Sequence, residues 1–254
     1  MNILVLIKQV PDLVEELEIA SDGSTLDRTW MRFIPSEYDE HALEQALLLK
    51  EEHGGTVTAA AMDIGDVDDA LYTALAKGAD QVIRLGGDAD SVSAAAAASA
   101  YAELYREGSY DLILTGVQAI DDLDGPVGAH LAAKLQLPYV GVVSGMSADA
   151  PGGVHVRKEY PGGLLTVLHV DLPAVIGIQS ATKPPRYVPI AKIRQASKSG
   201  EIHERAMPPR SDMPVQVRAL RKPDSGAHAE MIEGGSEEIA DRLLQLFSEH
   251  GLVR

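Results

Sequence analysis

The chain has 254 residues, of which 45% are hydrophobic and only 4% aromatic, so it can bury a sizeable core built mainly from aliphatic side chains. Its 22 Lys and Arg against 38 Asp and Glu give a net charge of -16, which opposes binding to nucleic acid or to anionic membranes. Because there is no cysteine, disulfides, thiolate nucleophiles, iron–sulfur ligation and thiolate zinc sites are excluded, and any redox role requires a bound organic cofactor.

The hydropathy of the chain predicts neither a leader nor a membrane span. The N-terminal run MNILVLIK is too short for a signal peptide, and no run approaches the roughly 20 apolar residues of a membrane-spanning helix. We therefore expect a cytoplasmic protein without direct membrane insertion.

The first half of the chain predicts four alternations of strand and helix. Short apolar runs indicate strands at residues 2–7, 56–62, 81–85 and 111–115. Helices are expected from a cap at Ser36 to the glycines at 54 and 55, at residues 66–77, from about Ser91 to Arg106, and after Asp124. This alternation predicts an α/β fold with a doubly wound, mostly parallel sheet.

Residues 110–135 combine a buried strand, a polar loop with glycines and a helix start. Asp124 is expected to cap that helix, with Pro126 at its first position. A loop of this kind, at the carboxyl end of a strand, is the usual ligand crevice of an open α/β sheet, although a plain connection is the alternative. Because Asp121, Asp122 and Asp124 would repel a phosphate, main-chain N–H groups would have to hold it.

The pattern changes after residue 138. Val154, Val156 and Lys158 are predicted to face Leu165, Val167 and His169 in a β-hairpin insertion that turns at residues 160–163, and residues 174–178 form a final strand. From Thr182 the chain is rich in proline and lacks a periodic core pattern, which predicts an extended arm. The arm is locally basic and ends in an amphipathic helix at residues 236–250 capped by Ser236; its basic residues are Lys183, Arg186, Lys192, Arg194, Lys198, Arg205 and Arg210.

Common catalytic motifs are absent. The chain has no phosphate-binding GxxxxGK[ST] loop and no GxSxG elbow, and KQVPD follows the first strand where a dinucleotide fingerprint would need glycines. The eight histidines show no metal-ligand spacing. These absences argue against common nucleotide hydrolases and dehydrogenases. Because consecutive residues in one loop rarely converge on one ligand, we predict no metal site, and a metal-binding or acid/base set at Asp121, Asp122 and Asp124 is the alternative.

In this order of elements the chain resembles the β subunit of electron transfer flavoproteins over nearly its whole length. GVQAIDD at residues 116–122 is the most specific match. The other matches are weaker alone but occur in the same order: KQVPD at 8–12, YDEHALEQALLLKE at 38–51, ALAKGAD at 74–80, LPAVIGI at 172–178 and PRY at 185–187.

The resemblance implies an electron carrier subunit without enzymatic activity. It implies a heterodimer with an α subunit that holds FAD, and an adenine nucleotide in this chain, either AMP or a second FAD. Residues 1–181 would form the nucleotide-binding domain and residues 182–254 a partner-docking arm with a helix. The implied cofactor-binding residues are Leu6, Ser36, Glu37, Tyr38, Asp39, Met62, Gly116, Val117, Gln118, Ala119, Ile120, Asp121, Asp122, Asp124, Gly125 and Val127.

The family also implies a docking segment for a flavin dehydrogenase such as acyl-CoA dehydrogenase. In this sequence it comprises Arg186 and Tyr187 with Ile190 as an aliphatic anchor. The AMP-binding members of the family carry Asn-Gln-Thr where this chain has Gly125-Pro126-Val127. The electron-bifurcating members, which bind a second FAD, carry Val-Gly in this place, as this chain does at Val127-Gly128. The alternatives to an electron carrier subunit are an adenine-nucleotide-binding enzyme and a stress-type nucleotide-sensing module, both of related fold.

Overall fold

The computed structural model describes residues 1–65, 67–86, 92–149, 152–206, 215, 217–223, 229 and 231–253. Contacts divide the chain into two compact units, residues 1–218 and 219–254. The functional boundary that the sequence predicts between residues 181 and 182 stays a prediction.

A nine-stranded sheet forms the centre of the first unit. Its order is β11-β5-β4-β1-β6-β10-β7-β8-β9, and β2 pairs with β3 in a separate antiparallel ribbon. The strands run over Asn2–Ile7 (β1), Gln9–Pro11 (β2), Phe33–Pro35 (β3), Thr56–Met62 (β4), Gln81–Gly86 (β5), Leu112–Gly116 (β6), Tyr139–Asp149 (β7), Gly153–Tyr160 (β8), Leu164–Asp171 (β9), Ala174–Ile178 (β10) and Ile202–Ala206 (β11). All pairs in the main sheet are parallel except β7 with β8 and β8 with β9. The predicted fold class is confirmed.

Helices cover both faces of this sheet because alternate residues of β1 point to opposite sides. Ile3, Val5 and Ile7 pack in the core that includes α1 and α2, whereas Leu4 and Leu6 pack in the core that includes α3 and α4. The helices are Glu37–His53 (α1), Val67–Lys77 (α2), Ala94–Glu107 (α3), Val127–Leu135 (α4), Ile190–Ser199 (α5) and Ser236–Glu249 (α6). Among the described residues, no helix is both long and apolar enough to span a membrane.

The predictions for the hairpin register, the cap of α6 and the segment after Thr182 are wrong. In the hairpin, Val154 pairs with Val170, Val156 with Leu168 and Lys158 with Thr166, so Leu165, Val167 and His169 lie on the other face. The turn contains three residues between Tyr160 and Leu164, and such an odd number shifts the pairing by one. The N-cap of α6 is Gly235, not Ser236, and the Gly235 N–H donates to Glu238 Oε2 at 2.9 Å.

The third error concerns the segment after Thr182, which is not simply extended. It forms α5 and then β11, which pairs in parallel with β5 at the edge of the sheet. Helix α5 is short and buries no residue, and β11 pairs with β5 through its main chain, which a pattern of side chains does not reveal. The predicted helix starts at Asp66 and Ser91, and the arm residue Arg210, lie outside the described residues.

Candidate functional site

Three neighbouring strands end at the same edge of the sheet and form the floor of the candidate site. They are β4, β1 and β6, which lie side by side, with β1 in the middle. Leu6 lies next to the end of β1, Met62 ends β4, and Gly116 ends β6. The strand order reverses at β1: β4 and β5 lie on one side of it, and the later strands β6 and β10 lie on the other. This is the position at which open α/β sheets bind ligands.

Asp39, in the first turn of α1, joins two of these strand ends. Its carboxylate accepts a hydrogen bond from the Lys8 N–H at 2.8 Å and another from the Gly116 N–H at 2.6 Å. The helix approaches so closely that a Cβ atom on Gly116 would lie 2.7 Å from Tyr38 Cβ. Gly116 therefore permits the contact that fastens α1 to the floor of the site.

Ser36 is the N-cap of α1, as predicted, but its hydroxyl group makes no capping hydrogen bond. Its main chain makes the connection instead. The Ser36 N–H donates to the Lys8 carbonyl at 2.9 Å, and the Ser36 carbonyl accepts from the N–H groups of Asp39 and Glu40. The start of α1 and the end of β1 thus form one hydrogen-bonded unit.

Burial raises the pKa of the Asp39 carboxyl group to about 7. The two backbone N–H donors and the Lys8 charge oppose this shift, whereas the nearby Asp122 charge adds to it. The side chain is 7% exposed. Asp39 is therefore a buried carboxyl group that changes its charge close to neutral pH.

Lys8 fastens the loop that follows β6. Its Nζ lies 2.7 Å from Asp121 Oδ1 and 2.8 Å from Asp122 Oδ1. The second oxygen of Asp122 accepts from the Ala119 N–H at 2.8 Å, which closes the turn. Burial alone would lower the pKa of Lys8, but the hydrogen bonds with both carboxylates outweigh it, and the pKa is raised.

Asp124 does not cap the helix that follows it, and this prediction is wrong. Its carboxylate accepts from the N–H groups of Ala94 and Ala95, at 3.0 and 3.1 Å, and so caps α3. Pro126 is the N-cap of α4 and not its first helical residue. Within the part of the chain that the structure describes, α4 is the one of these two helix starts that has no side-chain cap.

A pocket opens between the ends of β1 and β4, the start of α3 and the start of α4. Among the predicted residues, Leu6, Asp39, Met62, Asp122 and Val127 line it, whereas the others lie in the surrounding loop and in α1. Its lining is mainly apolar. The sequence interpretation missed a further set of lining residues, namely Ile7, Lys8, Gln9, Ile64, Val92, Ala94, Ala97 and Tyr101.

The sequence contains a signal from which the lining residues of α3 could have been predicted. The alanine-rich helix follows β5, and a helix after a parallel strand starts at the edge where the strands end. Tyr101, which is 4% exposed, hydrogen-bonds the backbone of Met62, and burial raises the pKa of its hydroxyl group. Small side chains at Ala94 and Ala97 leave the space above it open.

The predicted docking residues have different surroundings. Arg186 donates from Nε and Nη2 to the buried Glu44 carboxylate, in both cases at 2.9 Å, and from Nη1 to Glu51 at 2.6 Å. Tyr187 is 84% exposed and Ile190 is 64% exposed. The guanidinium group of Arg186 is therefore engaged within the chain, whereas Tyr187 and Ile190 face solvent.

Other residues of α1 hold the same segment and were not predicted. Gln45, which is 1% exposed, accepts hydrogen bonds from the N–H and the hydroxyl group of Thr182, at 2.9 and 2.7 Å. His41 Nδ1 accepts from the Ala181 N–H at 3.2 Å. The described residues contain no group of three or more His, Asp or Glu side chains placed to hold a metal ion.

The chain is similar in sequence to known proteins of one family. The family model described as "Electron transfer flavoprotein domain" matches residues 26–209. The electron transfer flavoprotein subunit beta of Methylophilus methylotrophus is 31% identical over 98% of both chains, and that of Clostridium acetobutylicum is 34% identical over 76% of this chain and 74% of its own. The caffeyl-CoA reductase-Etf complex subunit CarD of Acetobacterium woodii is 30% identical over the whole of both chains.

Proposed function

This chain belongs to the electron transfer flavoprotein family as a relative of its β subunits, and we propose that it forms a heterodimer with an FAD-bearing α subunit. The heterodimer passes electrons between flavin dehydrogenases and an acceptor. Because the chemistry is electron transfer, this chain supplies binding and docking surfaces, and no acid or base residue is needed.

The site at the ends of β1, β4 and β6 binds an adenine nucleotide, either AMP or a second FAD. The observation that carries this assignment is the combination of an apolar pocket with a helix start that has no side-chain cap. A purine ring suits the apolar lining of Leu6, Met62 and Ile64. A phosphate suits the first turn of α4, where N–H groups and the helix dipole attract an anion. A second FAD would add a redox centre to this chain, whereas AMP would only complete its structure.

Gly125-Pro126-Val127 offers the phosphate no side-chain donor, so the main chain must hold it. Gly125 has φ 95°, a left-handed conformation that suits glycine. Gly128 is needed for packing, because a Cβ atom there would lie 2.7 Å from Thr115 Oγ1 and 3.1 Å from Tyr139 Cε2. Close packing of α4 on β6 therefore explains Gly128 whichever nucleotide is bound, so this glycine does not by itself favour FAD.

Mass spectrometry of the denatured, purified heterodimer tests the nucleotide site. We expect either one FAD and one AMP per heterodimer or two FAD molecules. The variant Val127→Asp should lower the content of this nucleotide at least tenfold, since a carboxylate in the first turn favours the helix but repels a phosphate.

Ile190→Asp is the matched control for this variant. Both changes place Asp directly after a proline N-cap, at the first residue of α4 and of α5, so the control should retain the nucleotide. A heterodimer that contains only the FAD of the α subunit, or equal nucleotide content in both variants, would contradict the assignment.

The exposed pair Tyr187 and Ile190 docks a flavin dehydrogenase, of which acyl-CoA dehydrogenase is the type that the family suggests. Replacing Ile190 with Ala is expected to raise the KM for the donor dehydrogenase about tenfold and to leave flavin content unchanged, because an exposed aliphatic anchor contributes only when the partner covers it. Leu164→Ala is the control, since Leu164 is 66% exposed but belongs to β9. An unchanged KM for Ile190→Ala would remove this residue as the anchor.

A further inference from the structure

Lys8 lies at the centre of the candidate site but is not among the residues predicted to bind the nucleotide. It directly follows β1, and its main chain is held on both sides. Its N–H donates to Asp39 at 2.8 Å, and its carbonyl accepts from the Ser36 N–H at 2.9 Å. The side chain therefore starts from a fixed position, and the location of its ammonium group is set by the fold.

The ammonium group of Lys8 contacts the loop between β6 and α4. It reaches Asp121 Oδ1 and Asp122 Oδ1, and the remaining oxygen of Asp122 closes the turn onto the Ala119 N–H. The beginning of this loop is held by the Val117 N–H, which donates to the Ile178 carbonyl at 2.8 Å. Lys8 thus holds the centre of the loop.

The end of the same loop is held separately. The Asp124 carboxylate caps α3, and the Asp124 carbonyl lies 2.7 Å from His130 Nε2 on α4. Asp124 therefore determines where α4 starts, whereas Lys8 determines how the preceding turn lies against β1. Loss of either contact would displace the first turn of α4 from the pocket.

A lysine at the end of the first strand would ordinarily be taken as a phosphate ligand. Here two carboxylates already lie within 2.8 Å of its Nζ, and Asp39 is hydrogen-bonded to its main chain. A phosphate oxygen that approached this ammonium group would meet two negative charges at similar distance, and their repulsion would offset the attraction. The side chain of Asp122 is 8% exposed, so solvent screens this charge only weakly.

We propose that Lys8 is a positioning residue of the nucleotide site: it holds the Ala119–Asp122 turn against β1 through Asp121 and Asp122, and it does not contact the phosphate. This inference rests on the proposed nucleotide binding. Its role is to neutralise two carboxylates beside the site and to keep the first turn of α4 at the pocket, where main-chain N–H groups receive the phosphate.

Titration with adenosine and AMP tests this role in a heterodimer that keeps the FAD of its α subunit but lacks the nucleotide of this chain. Because Lys8 holds the turn that precedes the phosphate-binding N–H groups, Lys8→Met should weaken AMP about tenfold and affect adenosine, which has no phosphate, much less. A direct phosphate ligand would show the same difference, but Asp122→Asn would then strengthen AMP binding, because it would free the ammonium group of Lys8. Lys8→Arg keeps the charge and should retain most of the affinity. Hydrogen exchange of the loop should be faster in Lys8→Met without any ligand.

Two further variants and a control separate the role of Lys8 in the site from a general loss of stability. Asp122→Asn should also weaken binding, and the double variant Lys8→Met/Asp122→Asn should be no weaker than Lys8→Met alone, because the two side chains act as one unit. Lys50→Met is the matched control: its Nζ lies 2.7 Å from Asp80 Oδ1, and its side chain is 26% exposed against 29% for Lys8. It should leave binding unchanged.

The possible failures are distinguishable. If the unmodified heterodimer binds AMP but Lys8→Met binds it equally well, the positioning role is wrong and the nucleotide site stands. If Lys8→Met weakens AMP but Asp122→Asn strengthens it, Lys8 is a phosphate ligand and the proposal is overturned. If the unmodified heterodimer, with the site of this chain empty, binds neither adenosine nor AMP and takes up no second FAD, the nucleotide site and the role of Lys8 are both wrong.

Discussion

Replacing Arg186 with Met is expected to lower the free energy of unfolding by about 3 kcal/mol, because it leaves Glu44 as a buried carboxylate without its cation. The Glu44 side chain is 4% exposed and receives two hydrogen bonds from the guanidinium group at 2.9 Å. Hydrogen bonds with Glu44 and Glu51 also raise the pKa of Arg186. Glu51 is more exposed, so we assign most of the effect to Glu44.

Urea unfolding of the purified protein measures this effect, with two variants as controls. Arg194→Met removes an exposed arginine from α5 and should change stability by less than about 0.5 kcal/mol. Glu44→Met combined with Arg186→Met should recover most of the loss, since both charges are then absent. If Arg186→Met left stability intact but abolished electron transfer from the dehydrogenase, Arg186 would act in docking, as the sequence predicts, and not as an anchor of the segment.

Asp39 is expected to make the stability of the protein depend on pH between about 4 and 7. Burial raises its pKa from the ordinary 3.8 to about 7 in the folded chain. A group whose pKa is raised by folding stabilises the protein fully below its unfolded value, and this contribution is lost as pH rises through the folded value. The loss has a slope of about 1.4 kcal/mol per pH unit in this window.

The comparison with Asp39→Asn isolates this contribution from that of the other carboxyl groups. The variant carries a constant penalty, because its amide nitrogen cannot accept from a backbone N–H as the carboxylate does from Lys8 and Gly116. We expect the stability of the unmodified protein relative to the variant to fall from pH 5 to pH 7 and to level off near pH 8. A difference that stays constant with pH would show that Asp39 does not titrate in this range.

Salt distinguishes the causes of the Asp39 shift. Desolvation is not screened by ions, whereas repulsion from the nearby Asp122 charge is partly screened. We therefore expect the pH dependence to persist in 0.5 M NaCl if burial dominates. A slope that disappears in salt would assign the shift to Asp122 instead.

The strands and most helices could be predicted because their signals are local. Residues 2–7, 56–62 and 111–115 are mostly apolar runs, which is typical of strands covered on both faces, and carboxylates near Asp39 and Asp68 mark helix starts. The family resemblance implied Leu6, Met62 and Gly116 as site residues, and topology independently predicted this edge, since the carboxyl ends of parallel strands share one edge. The strands and the edge needed only the period of the sequence and the handedness of α/β connections.

The roles of individual polar side chains could not be predicted in the same way. Asp124 lies two residues before Pro126 and resembles a local cap, yet its carboxylate reaches α3, about 30 residues earlier in the chain. The docking role predicted for Arg186 stays a prediction, but its ion pair with Glu44, 142 residues away, was not predicted. A charged side chain has several partners within reach of its sequence position, and only the fold determines which one it meets.

The sequence by itself determined the doubly wound α/β class, the family and the edge of the sheet at which a ligand would bind, because each depends on local periodicity or on an ordered series of motifs. The tertiary structure decided what the acidic residues of this edge do. Lys8 neutralises Asp121 and Asp122, Asp124 caps α3, and Asp39 joins two strand ends. The physical reason is that burial and charge pairing depend on distances across the fold, which the order of residues along the chain does not specify.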